Sequence, residues 1–142
     1  SLLSDAIPPF ILPTLIFLFG AITSFATGSS FGTMGILIPL AIPLASAMAP
    51  NNPELKVITS ASVLAGAILG DHSSPISDTT ILSSMGTGSN LIDHVRTQLP
   101  YAVTVGTVAI LFGYVPTALG ASVWIMLPIG LIVLIAIVYT FG

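Results

Sequence analysis

Residues 70–80 read GDHSSPISDTT: two aspartates, a histidine, a proline and five hydroxyl side chains in eleven positions. The apolar run VLAGAILG leads into them, in a chain that is only 5% charged. Asp71, His72, Asp78, Asp93, His94 and Arg96 all fall within residues 71–98. Carboxylates ringed by hydroxyls suit a hard cation, which takes several oxygens from carboxylates, hydroxyls and carbonyls. Asp71, Ser73, Ser74, Ser77, Asp78, Thr79 and Thr80 offer such oxygens, and Pro75 frees carbonyls by breaking the helical ladder. Burial disfavours the charged form of a carboxylate, and a second carboxylate nearby disfavours it further. A carboxylate so placed is neutralised by a proton or by a metal cation, and the two compete.

The elements that must position these groups are set by the solvent. Soluble domains carry about 25% charged residues, and this chain is 54% hydrophobic with a net charge of −3. Such a chain cannot clothe itself for water. Its apolar runs approach the roughly 20 residues that span a bilayer: Phe10–Ala26, Phe31–Ala49, Val57–Gly70 with its continuation, Leu99–Val115 and Val123–Phe141. The class is all-α, polytopic and membrane-embedded. There is no cysteine and no basic patch, so disulfides and nucleic-acid binding are not expected. The chain opens at Ser1 without Met; the reading is that it is the C-terminal part of a longer protein.

Ser1–Pro9 reads as a short interfacial entry, with Pro8 and Pro9 where a helix can begin. Residues 10–49 form two short apolar runs around FATGSSFGTMG, which holds three glycines and four hydroxyl residues. A re-entrant hairpin fits that pattern; two complete spans joined by a tight turn are the alternative. APNNPELK, residues 49–56, reads as a loop. Residues 57–90 form a broken helix, apolar to Gly70, interrupted at Pro75 and resumed over Thr79–Met85. GTGSN is a further soft spot, and residues 97–142 hold two closing helices joined near LGAS. The interruptions TGSSFGT and DHSSPISDT each fall where a span runs deep. Paired Gly/Pro interruptions mark the binding site of many transporters, because unwound backbone survives there only inside protein or along a wet cavity.

An aspartate at a helix centre costs about 2.5–3.5 kcal/mol on insertion, so Asp71 and Asp78 together cost about 5–7 kcal/mol. A cation justifies that cost. The expected ligand set is Asp78, Asp71, Ser77, Thr79 and Ser74 with Thr27, Ser29 and Ser30 from the hairpin tip. Asp78 is favoured slightly, because hydroxyls flank it directly. Such oxygens suit Na⁺, and His72, Asp93 and His94 are candidates for a proton relay. Structural roles stand beside each of these. Either aspartate can cap the resumed helix, and membrane hydroxyls often bond back to their own carbonyls. His72 can be a packing residue, and Asp93 with Arg96 an i,i+3 pair. Gln98 and Tyr101 read as interfacial anchors, and Glu54 and Lys56 as a solvated loop.

Residues 70–102, GDHSSPISDTTILSSMGTGSNLIDHVRTQLPYA, resemble the signature region of the NhaC-type sodium/proton antiporter family. FATGSSFGTMGILIPLAIPLA, residues 25–45, resembles its matching upstream stretch. Position 74 is Ser where members often carry Cys, and position 91 is Leu where a further His is common. The resemblance implies a prokaryotic inner-membrane antiporter of two inverted repeats, this chain being most of the second. It implies Na⁺ and H⁺ as substrates, no cofactor, the bilayer and the missing first repeat as partners, and a homodimer as an open assembly. It equally implies exchange of small organic anions, such as malate for lactate, as an alternative.

Rivals from other classes fit less well. An intramembrane aspartyl protease would need Gly where Ile68 precedes Gly70–Asp71. No HExxH spacing supports a zinc hydrolase, and no GxSxG elbow a serine nucleophile. A noncatalytic assembly subunit would use the polar residues as helix glue. Lys56 and Arg96 flank the broken helix on opposite sides, so the positive-inside rule gives no orientation.

Overall fold

A computed structural model describes residues 8–141; all but the end of the entry stretch Ser1–Pro9 lies outside them. Among the described residues the regular structure is entirely helical. After a 3₁₀ turn at Pro9–Ile11, α1 runs Leu12–Thr27, α2 Ser30–Met48, α3 Pro53–Ser73, α4 Asp78–Thr87 and α5 Leu91–Val108. A π-helical stretch, Ala109–Tyr114, leads to the short α6, Val115–Ala118, and α7 spans Val123–Phe141. Five stretches are long and apolar enough to cross a membrane: Pro9–Thr27, Ser30–Met48, Pro53–Ser73, Leu91–Ala118 and Val123–Phe141. The first two have 19 residues each, about 28 Å at 1.5 Å per residue.

Two helices begin earlier than the sequence pattern predicts. Residues 53–56 were expected in a loop, yet α3 starts at Pro53. Asn52 caps it, its Oδ1 accepting the Leu55 N–H at 3.1 Å, and Pro fits the first helical position because its missing N–H has no helical partner there. Likewise α5 starts at Leu91 and runs through Pro100. Its leading residue is preceded by Asn90, whose Oδ1 accepts the Ile92 N–H at 2.9 Å. The predicted soft spots at 86–90 and 119–122 do end helices, at Gly88 and Gly120, both with positive φ.

The chain divides into two compact units, one ending at Ala102 and one starting at Val103. The second contains the end of α5, the π-helical stretch, α6 and α7, and α7 buries no residue. The first has an interior unlike that of a soluble protein. Ser24, Thr33, Thr59, Ser62, Asp71, Ser73, Ser74, Ser77, Thr80 and Ser84 are buried there, while Phe19, Ile22, Phe31 and Leu40 face outward. Thr59, Ser62 and Ser73 satisfy their hydroxyls on carbonyls four residues back. That inversion is what lipid selects, since apolar side chains gain nothing by turning inward from it.

Helices α1, α2 and α3 share two apolar clusters, Leu12–Ala45–Leu55 and Leu37–Ala41–Val63. The α1–α3 contact is closer than side chains would allow. A Cβ at Gly66 would overlap the Phe17 carbonyl oxygen, and one at Gly70 the Ala21 carbonyl oxygen. From α1, a Cβ at Gly20 would lie 3.3 Å from the Ala67 nitrogen. Gly66 and Gly70 are one turn apart, the small-residue spacing that lets membrane helices touch backbone to backbone. Gly70→Ala should therefore cost about 1–3 kcal/mol by overpacking. Gly35→Ala, with nothing within 4 Å of the added methyl, should be neutral or stabilising by up to about 1 kcal/mol. Thermal unfolding of the complete detergent-solubilised protein checks the difference.

Candidate functional site

The close α1–α3 contact carries the end of α1 to the break after α3. Gly28, with φ 66°, closes α1, its N–H donating to the Ser24 carbonyl. The turn passes so near the break that a Cβ at Gly28 would lie 2.9 Å from the Ile76 carbonyl oxygen. Ser74, fully buried, donates its hydroxyl to the Phe25 carbonyl at 2.7 Å. The α1–α2 turn and the α3–α4 break are thus one locus.

Proline explains the break. The Asp71 carbonyl would bond the N–H of residue 75 in a continuous helix, and Pro75 has none. It accepts instead from the Ser74 N–H at 3.1 Å, a tighter turn that ends α3. Ser74 and Ser77 are extended, and α4 begins at Asp78.

Asp71 lies at the centre, 6% exposed. Its Oδ1 accepts the Ser77 hydroxyl at 2.7 Å, and its Oδ2 the Ser30 hydroxyl, from the first turn of α2, at 3.1 Å. Ser77, fully buried, also shares a hydrogen bond with the Thr79 hydroxyl at 2.8 Å. Both oxygens of a buried carboxylate are therefore engaged by neutral hydroxyls from two discontinuities. A hydroxyl donates one hydrogen but keeps two lone pairs, so by rotating it can face an anion or a cation.

The other candidates are held by their own helices and turns. Asp78 is exposed at the first position of α4, with Oδ1 accepting the Thr79 N–H at 2.8 Å. Ser29 caps α2, accepting the Gly32 N–H. Thr27 bonds the Ser24 carbonyl and the Thr33 hydroxyl, each at 3.4 Å. His72 has an exposed side chain, and Asp93 is exposed in the first turn of α5 with His94 half-buried beside it. Among the described residues, no three His, Asp or Glu side chains gather as a metal-binding group.

One residue at the site was read differently in the sequence. Gln98, expected as an interfacial anchor, donates its Nε2 to the His72 carbonyl at 2.7 Å. That carbonyl also accepts the Thr80 hydroxyl at 3.4 Å. The available signal was Pro75 itself: a helix stopped by proline leaves carbonyls needing donors, and Gln98 is the chain's single glutamine.

A model described as the Na⁺/H⁺ antiporter family matches residues 1–117. This chain belongs to the Na⁺/H⁺ antiporter family. It is a transporter family, as the resemblance of residues 70–102 implies, and with five membrane-crossing stretches the chain is a multi-pass membrane protein. An uncharacterized protein of Haemophilus influenzae is 52% identical over 81% of this chain and 21% of its own length. The arginine/ornithine antiporter ArcD of Halobacterium salinarum is 33% identical over 71% of this chain and 21% of its own length. The malate-2H⁺/Na⁺-lactate antiporter of Bacillus subtilis is 35% identical over 72% of this chain and 21% of its own length. The chain thus spans about a fifth of these curated relatives. No solved structure matches it.

Within this family member, the Ser74 hook is, beside the Ser30–Asp71 bond, a polar tie between the turn and the break. Ser74→Ala should lower stability by about 1 kcal/mol. Ser60→Ala should change it little, because that hydroxyl only bonds back to the Lys56 carbonyl of its own helix. Unfolding midpoints of the complete transporter in detergent check the pair.

Proposed function

We propose that the complete transporter exchanges Na⁺ for H⁺ across a prokaryotic inner membrane, and that Asp71 is the group over which the two ions compete. The observation that carries this reading is the buried Asp71 carboxylate held by Ser30 and Ser77 where the α1–α2 turn meets the α3–α4 break. Burying a bare carboxylate costs far more than burying a neutralised one. Among the described residues the hydrogen-bond partners of this carboxylate are the neutral hydroxyls of Ser30 and Ser77, which supports an exchangeable neutralising partner. In one state the partner is a proton on the carboxyl. In the other it is Na⁺, with the hydroxyls of Ser30, Ser77 and Thr79 rotated to offer lone pairs. Carbonyls at the end of α3 keep a second lone pair each and can supply further oxygens, as unwound backbone does at Na⁺ sites in transporters. Occupancy by one ion excludes the other, which couples their opposite movements by alternating access.

On this reading α1 and α2 act as the hairpin of the second inverted repeat, and the first repeat supplies the rest of the pocket. Asp78, exposed and engaged with its own helix, takes the secondary role. Exchange of small organic anions is the second reading, favoured by the malate–lactate name among the relatives.

In proteoliposomes of the complete transporter, Asp71→Asn should lower Na⁺-driven proton flux by about a hundredfold or more, equivalent to about 2.7 kcal/mol. Asp78→Asn should keep at least about a third of it, a change of under 1 kcal/mol. Flux that survives in Asp71→Asn would sink the assignment. Labelled malate, lactate or arginine uptake in the same vesicles separates ion exchange from solute exchange.

A further inference from the structure

We infer that Gln98 is a positioning residue for the Asp71 site, holding the broken end of α3 through the His72 carbonyl; the inference rests on the reading of Asp71 as the ion-coupling group. In an unbroken helix the His72 carbonyl would accept the N–H of Ile76. At the break, the Ile76 N–H turns to the Ser74 hydroxyl at 3.4 Å. The carbonyl is left without its helical donor one peptide bond from Asp71. Gln98 replaces that donor from α5, 26 positions along the chain, at 2.7 Å. Thr80 adds a weaker contact to the same oxygen from the first turn of α4. A single carbonyl thereby gathers α3, α4 and α5 beside the carboxylate.

The other half of the Gln98 amide shows which half matters. Its Oε1 is buried and has no hydrogen-bond partner among the described residues. Turning the amide over would set oxygen against the His72 carbonyl oxygen, so the donor function fixes the orientation. An apolar side chain of the same length would fill this space without stranding an acceptor. Packing alone therefore gives no reason for glutamine here; donation to His72 does. By fixing the His72–Ser73 peptide, that bond sets where the carboxylate stands relative to Ser77 and Ser30.

The test uses the complete transporter with Gln98→Met, which keeps length and removes the donor, and Gln98→Glu, which keeps shape and, when ionised, only accepts. Two measurements are made. Hydrogen–deuterium exchange in nanodiscs follows peptides covering residues 71–80 against residues 12–27. Proteoliposome flux gives KM for Na⁺ and the maximal rate separately. Both variants should speed exchange over 71–80 by about three- to tenfold, the worth of one hydrogen bond, and leave 12–27 unchanged. Both should raise KM for Na⁺ by a similar about three- to tenfold factor, with the maximal rate per folded transporter within about twofold, under 0.5 kcal/mol. A purely structural role would instead reduce folded protein with KM unaltered. Unchanged exchange over 71–80 overturns the inference, as does faster exchange with unchanged KM. If wild-type vesicles carry no Na⁺-driven proton flux, the reading of the site fails. The KM comparison then moves to the solute that is carried, and the exchange measurement still decides the tie.

Discussion

The contact on which the rest depends is the one between bare backbones of α1 and α3. Gly66 and Gly70 press against the carbonyls of Phe17 and Ala21 with no room for a methyl group. In lipid, apolar side chains have no reason to leave the solvent, so helices associate through close packing and polar contacts. Glycines on one face of α3 permit the first. The second follows from it: with the axes this close, the last turn of α1 reaches the break, and Ser74 can bond the Phe25 carbonyl. Had the helices stood apart by one side chain, the turn at Gly28 and the break at Pro75 would be two separate defects. Each would then carry unsatisfied backbone.

Joined, the two defects make an environment tuned between extremes. Hydrogen bonds to a charged group contribute about 1.5–3 kcal/mol each. Two hydroxyls on Asp71 therefore supply about 3–6 kcal/mol, against an effective burial penalty of several kcal/mol for an ion. The two hydroxyls thus offset part of the cost of burying this carboxylate.

Much of this arrangement is legible in the residues, and the parts that are not share a cause. Gly28, Gly88 and Gly120, with Pro75, mark the breaks because they act on the backbone locally. The start of α3 was read too late because Asn52–Pro53 looks the same in a loop and at a helix start; only the Leu55 N–H bonded to Asn52 distinguishes them. Hydroxyls flanking Asp78 in the chain made it the slightly favoured carboxylate. In the fold, the Ser77 hydroxyl spans the break to Asp71. Adjacency along an extended segment points neighbouring side chains apart, whereas a break folds distant ones together. Gln98 was hard to read for the same reason: its partner is a main-chain oxygen 26 positions away, and Pro75 shows that carbonyls need donors without showing which residue supplies one.

The break also gives the two aspartates unlike surroundings. Asp71 lies in the last turn of α3, where the unpaired carbonyls of a helix end carry partial negative charge. Such an end favours positive charge beside it. Asp78 stands at the opposite kind of terminus, the first residue of α4, where its oxygen accepts the Thr79 N–H. There the free amides already answer its charge, so an incoming Na⁺ would gain less. The contribution of each helix end is modest, about 0.3–1 kcal/mol when exposed and up to about 2 when partly buried. Acting in opposite senses seven residues apart, the two ends still separate a carboxylate at a helix C-terminus from one that starts a helix. A single proline produces both ends.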